Sequence, residues 1–168
     1  MDKAFILTMV LFTVLFIEKV IYTVSLKEPE GKILDKFIVQ LTLSSYVLTV
    51  FVAFGEYVIR PNNSYLLMTA GFMMAMGGVI LRRMSIRALG PNWSMYLRDI
   101  KNQQIIKTGP YQYLRHPYYL AVSLELLGVV LLFNSRIAFI LFCFVHVPLL
   151  IKRISMEKIF HNMKFVNR

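Results

Sequence analysis

Two short stretches hold the side chains whose types and spacing could do chemistry. The first, G-P-Y-Q-Y-L-R-H-P-Y-Y-L-A-V at residues 109–122, gathers Arg115, His116 and the tyrosines Tyr111, Tyr113, Tyr118 and Tyr119 at the mouth of an apolar segment. The second, R-I-S-M-E-K at 153–158, sets Arg153 and Glu157 one helical turn apart, so that both share a face. Aromatic faces, an imidazole, a guanidinium and a carboxylate are groups that hold a charged, polar reactant. Set against apolar helices, they suit an enzyme that joins a soluble reactant to a lipid-like one. The competing use is anchoring, because interfacial tyrosine and arginine also form the aromatic belt and snorkelling anchors of membrane proteins.

The elements that must position these residues are apolar. The chain has 168 residues, of which 57% are hydrophobic, 14% aromatic and only 17% charged. A soluble domain keeps about a quarter of its residues charged, so the solvent here is largely lipid. Apolar segments run from about Ala4 to Leu26, Ile33 to Val58, Tyr65 to Ile80, Tyr118 to Phe133 and Ile137 to Ile151. A helical span needs roughly 20 apolar residues. The first two meet that length, the third extends into Leu81 and beyond, and the last two form a tight helical hairpin broken at Asn134-Ser135-Arg136. No small-residue cleavage site follows the first segment, so it is expected to be a retained span rather than a signal peptide. The single cysteine, Cys143, lies in an apolar run and offers neither a disulfide framework nor a metal site of the paired-cysteine kind. No repeat or flexible linker divides the chain. The expectation is one all-α, polytopic membrane domain over residues 1–168, with about five transmembrane helices. Its spans over 1–81 precede a cofactor-binding and catalytic part over 82–168.

The net charge of +10 is distributed by topology. Of the 19 basic residues, 15 fall in the segments around Lys27–Lys36, in Arg82–Arg115 and in the tail from Lys152, against Lys3, Arg60 and Arg136 on the other side. Cytoplasmic loops collect Lys and Arg, so the amino terminus is expected outside and the carboxyl terminus in the cytoplasm. Anionic headgroups account for the basic excess, and nucleic acid is not an expected partner. The polar segment Arg82–Pro117 then forms a cytoplasmic catalytic loop. A closed hairpin brings Arg115 and His116 near Arg153 and Glu157.

The same residues resemble a known family. Q-Q-I-I-K-T-G-P-Y-Q-Y-L-R-H-P-Y-Y at 103–119 is similar to the signature H-x-L-V-x-x-G-x-Y-x-x-x-R-H-P-x-Y of the isoprenylcysteine carboxyl methyltransferase family, and R-I-S-M-E-K resembles its R-x-x-x-E-E. The likeness covers roughly the carboxyl-terminal half. It implies an integral membrane enzyme that uses S-adenosylmethionine without the soluble Rossmann-like domain. By position, Gln103, Gln104, Ile105, Ile106, Tyr111, His116, Pro117, Tyr118, Tyr119 and Glu157 would hold the cofactor, and Arg153 would meet the acidic group of the substrate. The chain departs from the pattern at Gln103, where the family has histidine, at Ala121, where it has glycine and the pocket would be crowded, and at Lys158, where it has a second glutamate.

Methyl transfer makes these residue types sensible. A cationic sulfonium reacts in line with its nucleophile, so both must be held at near-attack distance, an effect worth up to about 7–11 kcal/mol. Tyrosine faces at Tyr111, Tyr118 and Tyr119 stabilise a cation by about 0.5–2 kcal/mol each. The planar fork of arginine fits a carboxylate at two points.

Each candidate also has a plainer role. Tyr113 and Tyr118 would serve as anchors, as would Arg82 and Arg83. His116 would cap the helix that Pro117 opens, and Arg153–Glu157 would be a surface ion pair. Glu125 is costly within a span and should face the interior. Glu18 beside Lys19 reads as a buried pair or as the inner end of a polar face, and His146 as a hydrogen-bonding group in helix packing. Gly71, Gly77 and Gly78 in the methionine-rich run read as close helix contact. The expected activity is methyl transfer to a carboxyl, enol or hydroxyl oxygen of a lipophilic substrate, prenylcysteine-like or alkylpyrone- or polyketide-like. The alternatives are a phospholipid amine N-methyltransferase, a membrane reductase using NADPH and a non-enzymatic scaffold.

Overall fold

The computed structural model describes residues 3–24, 32–61, 64–99 and 107–166. Helix α1 covers Lys3–Val24, α2 Phe37–Ile59, α3 Tyr65–Leu89 and α4 Pro117–Leu132. Helix α5, Arg136–Leu141, continues through a π turn at Phe142–His146 into α6, Val147–Val166. Among the described residues, four stretches are long and apolar enough to cross a membrane: Phe5–Tyr22, Phe37–Ile59, Tyr65–Asn92 and Arg136–Glu157; α4 is a shorter apolar helix. The protein is thus a multi-pass helical membrane protein. Its outer faces carry Val10, Ile21, Phe51, Leu66 and Phe144, all exposed and all apolar, as expected where lipid takes the place of water.

Two details differ from the sequence reading. The start of the second apolar segment, Ile33 included, lies in strand β1, Lys32–Asp35, which pairs antiparallel with β2, Leu97–Asp99. This ribbon ties the approach to α2 to the segment after α3, and the Asp35 carboxylate accepts the Ile38 backbone N–H at the head of α2 at 3.2 Å. In addition, α3 continues to Leu89, so Arg82 and Arg83 stand on a helix and not in the polar loop.

Helices α3 and α4 pack along a seam of small residues. A Cβ added at Gly78 would lie 2.7 Å from the Glu125 backbone nitrogen, and one at Gly128 would lie 2.5 Å from that of Ala75. Gly71 is equally enclosed by the Gly128–Leu132 backbone, whereas Gly77 has nothing within 4 Å of such an atom. Ala121 lies in this seam, its carbonyl beside Gly78, and does not crowd a cavity wall. Such contact lets two backbones approach closely where lipid supplies no hydrophobic drive.

The hairpin turn is held from α2. Asn134 takes a positive φ of 49°. The Ser135 hydroxyl donates to the Glu56 carboxylate and accepts the Ala138 N–H at 3.1 Å, while Glu56 also accepts the Ile137 N–H at 3.0 Å. Above this turn Tyr57, Phe133 and Phe5 form an aromatic core, with Tyr57 and Phe133 ring centroids 5.4 Å apart. Pro148 lacks an N–H for the helical ladder. The turn ahead of it widens, so that the Val147 N–H reaches back five residues to the Phe142 carbonyl.

The seam makes an unequal prediction for two neighbouring glycines. Gly78→Ala should cost about 1–3 kcal/mol through overpacking. Gly77→Ala should be neutral or stabilising by up to about 1 kcal/mol, because alanine is the better helix former. Thermal unfolding of the detergent-solubilised protein distinguishes them, and equal shifts would contradict the seam.

Candidate functional site

Between α1, α2, α3, α4 and α6 lies a cavity of about 120 Å³. Its wall carries Lys19, Arg82 and Arg153 among apolar side chains, with Trp93, Tyr118 and Tyr119 toward the loop and His146 deeper. No carboxylate belongs to that lining among the described residues. Of the three cations, Arg153 alone has no salt-bridge carboxylate among the described residues.

A buried ion network builds one side of it. Glu125 on α4 accepts Lys19 Nζ from α1 at 2.6 Å and Arg82 Nε from α3 at 2.5 Å. Arg82 Nη2 also reaches Glu18 at 2.7 Å, and Arg83 Nε meets the same carboxylate at 2.8 Å. Three cations thus share two carboxylates. Aromatic faces take up part of the excess: Lys19 Nζ lies 4.1 Å from the Tyr46 ring centre, and both guanidiniums lie 5.2 Å from that of Tyr22. The anchoring expectation for Arg82 is overturned, since its side chain is 3% exposed and paired at both ends, whereas Arg83 is 42% exposed and meets Glu18 alone. Glu18 and Lys19 are adjacent in sequence but take different partners, as successive helical residues point about 100° apart. Glu125 faces inward, as its cost in a span requires.

The loop side assembles the tyrosine and histidine cluster. Pro117 opens α4 at its first helical position, where a missing N–H costs nothing. Tyr118 stands edge-on to Trp93 at 6.3 Å and to Tyr119 at 5.6 Å. His116 lies 6.0 Å from Tyr119 and stands at the N-cap of α4, where its carbonyl accepts the Leu120 N–H at 3.2 Å and its side chain makes no cap hydrogen bond. Tyr118 is thereby a packed member of the cluster, while Tyr113 is 87% exposed and stands outside it. Arg115 is exposed. Gln103, Gln104, Ile105 and Ile106 lie outside the described residues.

Arg153 and Glu157 do not pair with each other. Arg153 is buried, donates from Nη2 to the Met95 carbonyl and sets its guanidinium carbon 5.2 Å from the Tyr119 ring centre. Glu157, one turn further along α6, also meets Tyr119. Burial, and after it the Glu157 carboxylate, pushes the Tyr111 phenol well above its usual range, so Tyr111 stays protonated at neutral pH. Tyr111, His116, Pro117, Tyr118, Tyr119, Arg153 and Glu157 therefore meet at one end of the helices.

Four buried polar atoms lack a hydrogen-bond partner among the described residues: Trp93 Nε1, His146 Nε2, Arg153 Nε and Glu157 Oε2. Buried polar atoms are nearly always satisfied, so such exceptions need a reason. Three belong to residues of the cavity wall, and Glu157 lies one turn beyond Arg153. Unused hydrogen-bonding capacity collected in one place is what a ligand site requires. Sequence reasoning missed Tyr46 and Trp93. Trp93 is the chain's one tryptophan and follows a Gly-Pro turn, a signal that was available; Tyr46 sits in a featureless apolar run and gave none.

The fold and the cavity define a multi-pass helical membrane protein with a polar site at one end of its helices. Residues 70–161, more than half of the chain, match the isoprenylcysteine carboxyl methyltransferase family, and the chain belongs to it. It is also similar to the uncharacterized protein YpbQ of Bacillus subtilis (strain 168), with 32% identity over 78 residues, or 46% of either chain. The match thus spans about half the length of that relative. No solved structure matches.

The ion network predicts a graded loss of stability. Glu125→Gln leaves Lys19 and Arg82 without their shared counter-ion and should cost about 3–5 kcal/mol. Arg83→Gln, at a position 42% exposed, should cost under about 1 kcal/mol. Thermal unfolding in detergent measures both, and equal losses would contradict a buried network centred on Glu125.

Proposed function

We propose that this protein is a membrane methyltransferase that moves a methyl group from S-adenosylmethionine to an acidic oxygen, carboxyl or enol, of a lipophilic substrate. The cofactor would be held by Tyr111, His116, Pro117, Tyr118, Tyr119 and Glu157, with Gln103–Ile106 completing its site. The observation that carries this reading is the unused hydrogen-bonding capacity that Arg153 and Glu157 keep beside Tyr119. One turn apart on α6, both meet Tyr119, Arg153 also holds the Met95 carbonyl, and each keeps a buried atom unused, Nε in one and Oε2 in the other.

The residues present fit the cofactor. Glu157 Oε2 is a free acceptor for hydroxyl or ammonium protons, and the faces of Tyr118 and Tyr119 suit a cation and a stacked base. When bound, S-adenosylmethionine supplies an electrophilic methyl carbon. The chain's own residues orient and exclude. Arg153, fixed by the Met95 carbonyl and the Tyr119 ring, offers its remaining N–H donors to a carboxylate or enolate and aligns it beside the tyrosine cluster. An ionised oxygen needs no strong base, only a positioned cation. The apolar helices keep out competing water.

The cationic wall favours an anionic acceptor over the amine of a phospholipid. A prenylcysteine-like carboxylate and an alkylpyrone-like enol share that chemistry. The substrate would enter from the bilayer and the cofactor from the cytosol, with the amino terminus outside and the carboxyl terminus cytoplasmic, as the basic residues are distributed.

Arg153→Lys keeps the charge and removes the fork, so turnover should fall about tenfold or more while cofactor affinity holds. Glu157→Gln replaces a charge-assisted hydrogen bond by a neutral one and should weaken cofactor binding by about tenfold. Cofactor titration and methyl transfer measured on both variants test the division of roles. Equal, small effects on both would sink it.

A further inference from the structure

His146 lines the cavity and brings it a buried polar atom that neither the ion network nor the tyrosine cluster uses. Its side chain is fully buried, and Nε2 has no partner among the described residues. The ring is fixed on the other edge. The Ser45 hydroxyl donates to the Thr42 carbonyl at 2.8 Å, so at 2.9 Å it accepts from the imidazole Nδ1–H. A neutral imidazole protonated at Nδ1 carries its lone pair on Nε2. Tyr46 packs edge-on to the ring at 6.0 Å and Phe142 stacks on it, also at 6.0 Å. Of the cations in the same wall, Lys19 and Arg82 are engaged by Glu125 and Arg153 by the Met95 carbonyl. The result is a rigid, buried hydrogen-bond acceptor with nothing to accept.

Its position gives that acceptor a use. His146 ends the π turn, the kind of helical irregularity that is frequent at functional sites. It lies near the middle of the span Arg136–Glu157 and lines the same cavity as Arg153, seven residues or about two helical turns further along. The geometry points to His146 as a specificity-determining residue that accepts a hydrogen bond from a hydroxyl or N–H on the lipophilic substrate, on the tail side of its acidic group. This rests on the reading of Arg153 as the site for that acid. The substrate class is thereby a lipophilic acid or enol bearing a second, donor-capable polar group, and not a plain long-chain acid.

Trp93, the chain's single tryptophan and part of the cavity wall, reports occupancy by its fluorescence without any methyl transfer. The probes are hexadecanoic acids carrying a hydroxyl at the third, fifth or seventh carbon, their methoxy ethers and the unsubstituted acid. The wild-type protein should bind the best hydroxy acid about tenfold more tightly than its ether or the parent acid. His146→Phe should abolish that preference, so that the hydroxy acid, its ether and the parent acid bind alike. Ser45→Ala, which frees the tautomer, should reduce the preference by about threefold. A wild-type protein indifferent to the hydroxyl, or a preference that survives both substitutions, would overturn the inference. A preference that depends on His146 in a protein that transfers no methyl group would uphold it while refuting the methyltransferase reading.

Discussion

The Glu125 carboxylate is the interaction on which the rest of the structure depends. It sits within an apolar helix, where an unpaired charge is costly, and it is 4% exposed. Lys19 and Arg82 reach it from two other helices, so a single carboxylate pins α1 and α3 to α4 at one depth. The small-residue seam acts with it. Gly78 brings the α3 backbone against Glu125, close enough for the short Arg82 Nε contact. Replacing a buried ion pair by apolar residues often stabilises a protein, so the network is better understood through what it positions. It lines the cavity with cations whose charge is nearly, but not fully, balanced.

That residual charge connects packing to chemistry. Arg82 and Lys19 have their partners within the network; Arg153 has a carbonyl and an aromatic face and no carboxylate of its own among the described residues. Its guanidinium is held in place with donor capacity to spare, which is preorganisation in the sense that matters for binding an anion. The π turn before Pro148 has a parallel effect on His146, whose ring is clamped by Ser45 and two aromatic neighbours. Helical irregularity is tolerated at membrane depth where neighbouring groups or a cavity accommodate it.

The helices themselves were legible in the sequence, because lipid imposes long apolar runs and the break at Asn134-Ser135-Arg136 is short. The inward face of Glu125 and the close contact at Gly71 and Gly78 were legible for the same reason: a charge and a missing side chain each have few tolerable positions in a span. Arg82 was not. Arginine near the end of an apolar run looks alike whether it snorkels to headgroups or turns inward to a carboxylate, and the deciding partners, Glu18 and Glu125, lie 64 and 43 residues away. Within the candidate site, the spacing of Arg153 and Glu157 indicated a shared face but not the Tyr119 side chain and Met95 carbonyl found there. The ribbon between β1 and β2 escaped notice because four- and three-residue strands carry too little periodicity to register. His146 was read as a packing residue, which its Ser45 contact supports; its second nitrogen could be seen only with the cavity in view.

The most direct test of the central claim is equilibrium binding of S-adenosylmethionine and of NADPH to the purified protein in detergent, with S-adenosylhomocysteine as competitor. The account predicts saturable, competable binding of S-adenosylmethionine that His116→Ala weakens in a folded protein, and no binding of NADPH. Binding of NADPH without S-adenosylmethionine would contradict it.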